Sequence, residues 1–225
     1  MALQTISGKE YEMDFEKSIQ TISKHWDDAS VTFDKEHATE DLGLWKEYLE
    51  KVIGLNGNGK VLDVGTGTGF LAFMLNELGY GAVGIDISEK MMEIGRAKAL
   101  ERNQPVSFIN SPCEKTPFDD GEFDAVVNCR LMWTLTKPDE AVNEWKRILK
   151  SGGKVISFMR MMSASGGQGH SVYENNIELP LIDGSRDKYV EVYKKAGLKN
   201  IQTWELPEEM SVSDMPSWTV FVGEK

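Results

Sequence analysis

Apolar residues recur at helical spacing twice near the start of the chain, at Tyr11, Phe15, Ile19 and Ile22 and again at Leu42, Trp45, Leu49 and Val52, which predicts helices over 9–24 and 41–53. The stretch between them, KHWDDASVTFDKEHATED, is polar and aromatic with no steady period and reads as an irregular segment. After a glycine-rich turn at 54–59 the pattern changes. Short apolar runs at 60–64, 82–86, 106–110, 123–128 and 153–159 read as strands, and amphipathic stretches at 69–78, 89–103 and 138–149 read as helices between them. Strands as apolar as Val61-Leu62 and Ala125-Val126-Val127 are buried on both faces, which is what a parallel sheet with crossover helices requires. Beyond the loop SASGGQGHS, a helix at 186–196 precedes strands at 200–206 and 217–222, and two strands joined without a helix pair antiparallel. The expected organisation is a helical cap over 1–54 and a doubly wound α/β domain over 55–225.

A chain of 225 residues suits one ordinary domain with a small cap. Its net charge of -11 repels phosphate backbones, and no basic stripe overrides that field locally, so nucleic acid is not an expected substrate. The longest apolar runs fall well short of the roughly 20 residues that span a bilayer. The start, MALQTISGKEYEMDF, lacks a basic region followed by an apolar stretch, and the expectation is a cytoplasmic protein without a membrane partner. Cys113 and Cys129 form no CxxC pair and have no histidines at ligand spacing, so neither a disulfide scaffold nor a metal site is expected.

The chemistry is concentrated in VLDVGTGTGFLAFMLNELG, residues 61–79, where three glycines follow the first predicted strand. In open α/β sheets, ligands sit outside the carboxyl ends of the strands near this point, and Gly65, Gly67 and Gly69 let backbone amides approach closely. A dinucleotide fingerprint wants G-x-G-x-x-G, but Phe70 stands where the last glycine belongs, and no Gly-Lys-Ser/Thr of a P-loop follows. Asp86 ends the second strand about 20 residues further on, where an acid accepts hydrogen bonds from both ribose hydroxyls. Asp63, just inside the loop, occupies a place where a pyrophosphate would be repelled and a cationic ligand favoured.

These residues bring a resemblance into view. VLDVGTGTG, then GIDIS with Asp86, TPFDDGEFDAVV and RILKSGGKVI make the segment from 60 to about 160 resemble class I S-adenosylmethionine-dependent methyltransferases, in the broad group that includes quinone-biosynthesis enzymes. The resemblance implies a Rossmann-like seven-stranded sheet of order 3-2-1-4-5-7-6 with the last strand antiparallel, S-adenosylmethionine as cofactor and S-adenosylhomocysteine as product. It implies that Gly65, Thr66, Gly67 and Gly69 form the loop against the methionine moiety, with Asp63 supporting it. It further implies that Asp86 takes the ribose, that Ile87 packs on adenine, and that Asn128 and Cys129 offer backbone carbonyls to the ammonium group. Where the family has an aspartate contacting the adenine amine this chain has Pro112, so Cys113 and Glu114 are the residues placed to substitute. The family's lid carries a tyrosine where this chain has Phe33, which removes a hydroxyl contact.

For the acceptor, the sequence supplies Trp26 and Phe33 in the irregular segment and Arg130 and Trp133 after the fourth strand. Met132 and Trp133 stand either in the acceptor pocket or under the following helix. Arg130 and Arg160 pair either with acids of the fold or with an anionic acceptor. His37 and His170 are the candidate bases, none is assigned, and that favours a nitrogen, sulfur or oxygen acceptor over carbon. The cysteines read as small buried residues, because methyl transfer from a sulfonium needs no covalent intermediate. The expectation is a monomeric or homodimeric methyltransferase acting on a small molecule. A non-catalytic cofactor-binding module is the alternative, and a nicotinamide oxidoreductase is disfavoured by the misplaced glycine.

Overall fold

The computed structural model describes residues 8–36, 40–161, 173, 177–210 and 217–225. Seven strands form one sheet in the order β3-β2-β1-β4-β5-β7-β6: β1 (Lys60–Val64), β2 (Gly81–Asp86), β3 (Ser107–Asn110), β4 (Phe123–Cys129), β5 (Leu149–Arg160), β6 (Lys199–Glu205) and β7 (Trp218–Glu224). The pairs from β3 across to β5 are parallel, and β7 runs antiparallel to both β5 and β6. The expected strand order and the direction of the last strand are both observed. The chain steps from β1 to β2 on one side and returns to β4 on the other, so β1 is the switch point of the sheet.

Alternation along the strands sends side chains to two separate cores. Leu62, Val64, Val126, Val155 and Met159 pack on one face, with Trp145 of α5 (Pro138–Ile148) and Tyr193 of α6 (Arg186–Lys195). Val61, Ala125, Val127, Ile156 and Phe158 pack on the other, with Trp45 and Leu49 of α2 (Leu42–Ile53) and Leu71, Met74 and Leu75 of α3 (Phe70–Glu77). Period-two burial on both faces is the reason the central strands read as continuous apolar runs. Local signals set the helix ends. Asp41 accepts from the Gly43 and Leu44 amides to start α2, and α4 (Glu89–Arg102) begins on Ser88, which accepts from the Met91 amide. Among the described residues no helix is long and apolar enough to cross a membrane.

The amino-terminal region departs from the expectation. Instead of a helix ending near 24 and an irregular stretch, α1 runs unbroken over Gly8–Glu36. The segment contains no proline and no glycine after Gly8, so nothing forces a stop. Ile22, Trp26 and Phe33 continue one stripe at intervals of four and seven residues, and Ile22 and Ser30 on that stripe are buried. β5 likewise starts earlier than expected, because Leu149 pairs with Phe123 before a register shift.

Candidate active site

The loop after β1 is built by close approach. Gly65 has a φ of 67°, and a Cβ there would come to 2.8 Å from Leu131 Cδ1. Gly84 of β2 lies directly beneath the loop, where a Cβ would stand 2.6 Å from Thr66 Oγ1. At Gly84 the overlap with Thr66 leaves no room for a side chain, whereas at Gly65 the Leu131 methyl could yield and it is the left-handed φ that favours glycine. The Thr66 amide donates to the Ile85 carbonyl at 3.0 Å. The Gly67 amide donates to Asp86 Oδ2 at 2.8 Å and the Ser88 amide to Asp86 Oδ1 at 2.8 Å.

Asp63 lies in β1, two residues before Gly65. Its Oδ2 accepts from Thr66 Oγ1 at 2.7 Å and from the Ala72 amide at 3.1 Å. Burial pushes its pKa up to about 7 against those two hydrogen bonds, and burial raises that of Asp86 as well. Among the described residues, the hydrogen-bond donors to these two carboxylates are hydroxyls and backbone amides, with no lysine or arginine. A buried acid, Asp63, and a half-buried one, Asp86, beside a backbone cradle, with no cation of the protein's own among the described residues, fit a ligand that carries positive charge.

The cradle is roofed by α1. Ser23 Oγ donates to the Ile87 carbonyl at 2.8 Å, and Asp27 Oδ1 accepts from Ser88 Oγ at 2.6 Å and from the Lys90 amide at 3.1 Å. Thr68 Oγ1 donates to Asp34, which also meets Lys98. Phe33 stands 3.9 Å from where a Cβ on Gly67 would be. Asp27 thus adds an acceptor at the positive end of α4 and ties the roof to it. Asp27→Ala is expected to lower stability by about 1 kcal/mol, the usual value of a lost cap, and to be read as a lower urea midpoint. An unchanged midpoint would mean that the roof is not fastened at this contact.

Aromatic rings meet beside the cradle. Trp26 contacts Phe33 and Trp133 edge-on at 6.2 and 6.4 Å between centroids, Trp133 and Tyr173 lie 6.5 Å apart with planes 2° from parallel, and His25 stands edge-on to Trp26 and Tyr173. Trp26 Nε1 donates to the Tyr173 hydroxyl at 3.1 Å. Trp26, Phe33 and Trp133 are therefore brought together. Their partner Tyr173 was not singled out from the sequence, where it follows a glycine-rich loop that carries no period.

The remaining expected residues are distributed around this cradle. The Asn128 side chain is engaged away from it, donating to Ser157 Oγ, which in turn meets the Tyr193 hydroxyl at 2.7 Å. The Cys129 thiol is pushed up to about 12 by burial, and burial also raises Cys113 and its neighbour Glu114, so neither cysteine supplies a thiolate. Cys113 Sγ lies 3.4 Å from Glu114 Oε2, and the Cys113 carbonyl accepts from Trp145 Nε1. Arg130 bonds to Glu40, a residue that no pattern in the sequence singles out. His37 and His170 lie outside the described residues.

Comparison with known proteins agrees with this architecture. Residues 62–157 match the family model described as a methyltransferase domain. A ubiquinone/menaquinone biosynthesis C-methyltransferase, UbiE, of Geobacter sp. (strain M21) is 30% identical over 206 residues, covering 80% of this chain and 85% of that protein. The chain belongs to the class I S-adenosylmethionine-dependent methyltransferases. As a member of that family it is an enzyme that uses S-adenosylmethionine, and the loop and its two acids stand at the carboxyl ends of the strands, where such sheets present ligands. Among solved structures, geranyl diphosphate C-methyltransferase from Streptomyces coelicolor A3(2) is similar with a TM-score of 0.62 and 17% identity, over 80% of this chain and 78% of that one. The (4+2)-cyclase SpnF is similar with a TM-score of 0.64 and 18% identity, over 80% of this chain and 79% of that one. At such identity both likenesses speak to the fold of this methyltransferase and not to its acceptor.

Proposed function

We propose that this methyltransferase moves a methyl group from S-adenosylmethionine to a small-molecule acceptor held against the aromatic cluster of Trp26, Phe33, Trp133 and Tyr173. The observation that carries the reading is α1 laid across the glycine loop, which places apolar rings next to the cradle under one roof. In this reading Asp86 accepts from the ribose hydroxyls, and Gly65, Thr66, Gly67 and Gly69 line the methionine moiety. Asp63 supports its positive groups, Ile87 faces adenine, and the amide of Cys113 and the carboxyl of Glu114 lie toward the ring. The backbone carbonyls of Asn128 and Cys129 serve the ammonium. The cap over 1–54 is the part that encloses the acceptor.

The cofactor supplies an electrophilic methyl on a sulfonium. The protein's part is to hold the accepting atom about 3 Å from that carbon, opposite the sulfur, and to keep water out, which is the share that orientation and enclosure contribute to such reactions. Flat apolar acceptors suit ring edges and faces of this kind. The relatives are named as C-methyltransferases, so the reason for preferring nitrogen, sulfur or oxygen falls away, and carbon stands beside them. An acceptor that must lose a proton meets the imidazole of His25, packed against Trp26 and Tyr173. The net charge of -11 supports a small acceptor over nucleic acid.

Incubating the protein with methyl-labelled S-adenosylmethionine and a metabolite extract, followed by mass spectrometry, is expected to show one small compound that gains a methyl group. Binding of S-adenosylhomocysteine without transfer to any compound would favour a non-catalytic binding module instead.

A further inference from the structure

A second polar cluster sits at the same edge of the sheet, one ring away from the glycine loop. Arg130 follows β4 and Arg160 ends the neighbouring β5, so both guanidinium groups emerge where parallel strands present ligands. Each lies on the ring of Trp218, with Arg130 Cζ 4.6 Å and Arg160 Cζ 4.5 Å from its centroid, and Arg130 also covers Phe70, the first residue of α3 after the loop. Into this cluster reaches the Glu40 side chain, only 4% exposed. Its Oε1 accepts from Arg130 Nη2 and from Arg160 Nη2, and its Oε2 accepts from Trp45 Nε1 at 2.7 Å.

The cluster is not balanced. Among the described residues two guanidinium groups face one carboxylate, and Arg160 Nη1 is buried with no hydrogen-bond partner. Fastening the chain before α2 needs one arginine. A second, largely withdrawn from water, carries a desolvation cost that Glu40 alone does not offset. Rigid forks stacked on an indole, with an indole N–H beside them, form a recognition surface for planar or tetrahedral oxyanions.

We infer that Arg130, Arg160 and Trp45 Nε1 form a subsite for an anionic group of the acceptor, a carboxylate or a phosphate, and that Glu40 is its built-in occupant when the acceptor is absent. The inference rests on the methyltransferase reading above and adds to it the chemical class of the acceptor: an apolar body against the rings and an oxyanion on the arginines. Binding exchanges one anion for another, so the incoming group meets a site already shaped and already desolvated. Glu40 also acts as a filter, because a neutral acceptor has nothing with which to displace it.

Calorimetry with inorganic phosphate and with benzoate tests this directly. Glu40→Gln keeps the shape and a hydrogen-bond acceptor for Trp45 while removing the competing charge, and it is expected to bind at least one of the two anions ten times or more tighter than the parent protein. Adding Arg160→Met is expected to return that affinity to the parent level. S-adenosylhomocysteine binding is expected to stay within about twofold in both variants. In the labelled-methyl experiment, the compound that gains the methyl group is expected in the fraction of the extract retained by an anion exchanger. No gain in anion affinity in Glu40→Gln, or a methyl acceptor found in the unretained fraction, overturns the inference. A large loss of S-adenosylhomocysteine affinity in the Arg160→Met variant also overturns it, because the anion served would then be the cofactor's own carboxylate. Failure of the parent protein to bind S-adenosylhomocysteine strikes the methyltransferase reading itself and is visible separately.

Discussion

Asp86→Ala is expected to weaken S-adenosylmethionine and S-adenosylhomocysteine by the same factor, on the order of a hundredfold. The two ligands share the ribose, and in the proposed reading the carboxylate at the end of β2 accepts from both of its hydroxyls. Hydrogen bonds to a charged acceptor are worth roughly 1.5 to 3 kcal/mol each, so two at the lower end account for about 3 kcal/mol, or two powers of ten. The same carboxylate also holds the Gly67 and Ser88 amides, so the loop loses its anchor together with the ligand contacts. Asp86→Asn separates the two effects, since it keeps one carbonyl oxygen for the loop. Titration calorimetry with both ligands is the measurement, and unchanged affinity for both would place the ribose elsewhere.

The second large effect is a pH dependence that runs in opposite directions for the protein and for its ligand. Asp63, with its pKa pushed up to about 7 by burial, binds a proton more tightly in the folded chain than in the unfolded one. Its contribution to stability is therefore complete below about pH 4 and is lost as the pH rises through about 7. A ligand carrying an ammonium and a sulfonium prefers the ionised form, so its affinity is expected to rise over the same range. Below pH 7 the loss is about tenfold per unit, reaching roughly a hundredfold at pH 5 relative to pH 8, because the ionised fraction falls by that factor. Calorimetry at pH 7 in buffers of different ionisation enthalpy is expected to show proton release on binding. Asp63→Asn is expected to reduce both the release and the slope to the part that Asp86 contributes, and a flat profile in the parent protein would remove Asp63 from the cofactor's surroundings.

What the sequence made legible was the part written in local periods. Short apolar runs separated by amphipathic stretches define β1 to β5 and the helices between them, and the absence of a helix between 200–206 and 217–222 points to the antiparallel pair. The loop was legible because three glycines and two aspartates fall at fixed offsets from strand ends. The second half of α1 was hidden for a physical reason. Asp27, Asp28, Ser30 and Thr32 are poor helix formers, and their density masked the stripe of Ile22, Trp26 and Phe33. In the fold the polar residues of this half reach other elements, Ser23 at the Ile87 carbonyl, Asp27 at the start of α4 and Asp34 on Thr68 and Lys98. Glu40 was beyond reach altogether. Its partners Arg130 and Arg160 stand 90 and 120 positions away, and a lone glutamate in HATED carries no sign of a contact at that range.

The reversed β7 has a consequence for how this chain is made. β6 is synthesised before β7 yet among the described strands pairs with it alone, since β7 is inserted between β5 and β6. Until β7 emerges from the ribosome, β5 has an open edge and β6 has no partner, and unpaired edges recruit strands of other nascent chains. Because β7 runs antiparallel, its first residue, Trp218, is the one that arrives at the ligand edge, pairing with Arg160. The arginine platform is thus assembled in the same step that closes the sheet. Residue 218 must clear the ribosome before the edge of β5 is covered and the two arginines have the ring they share.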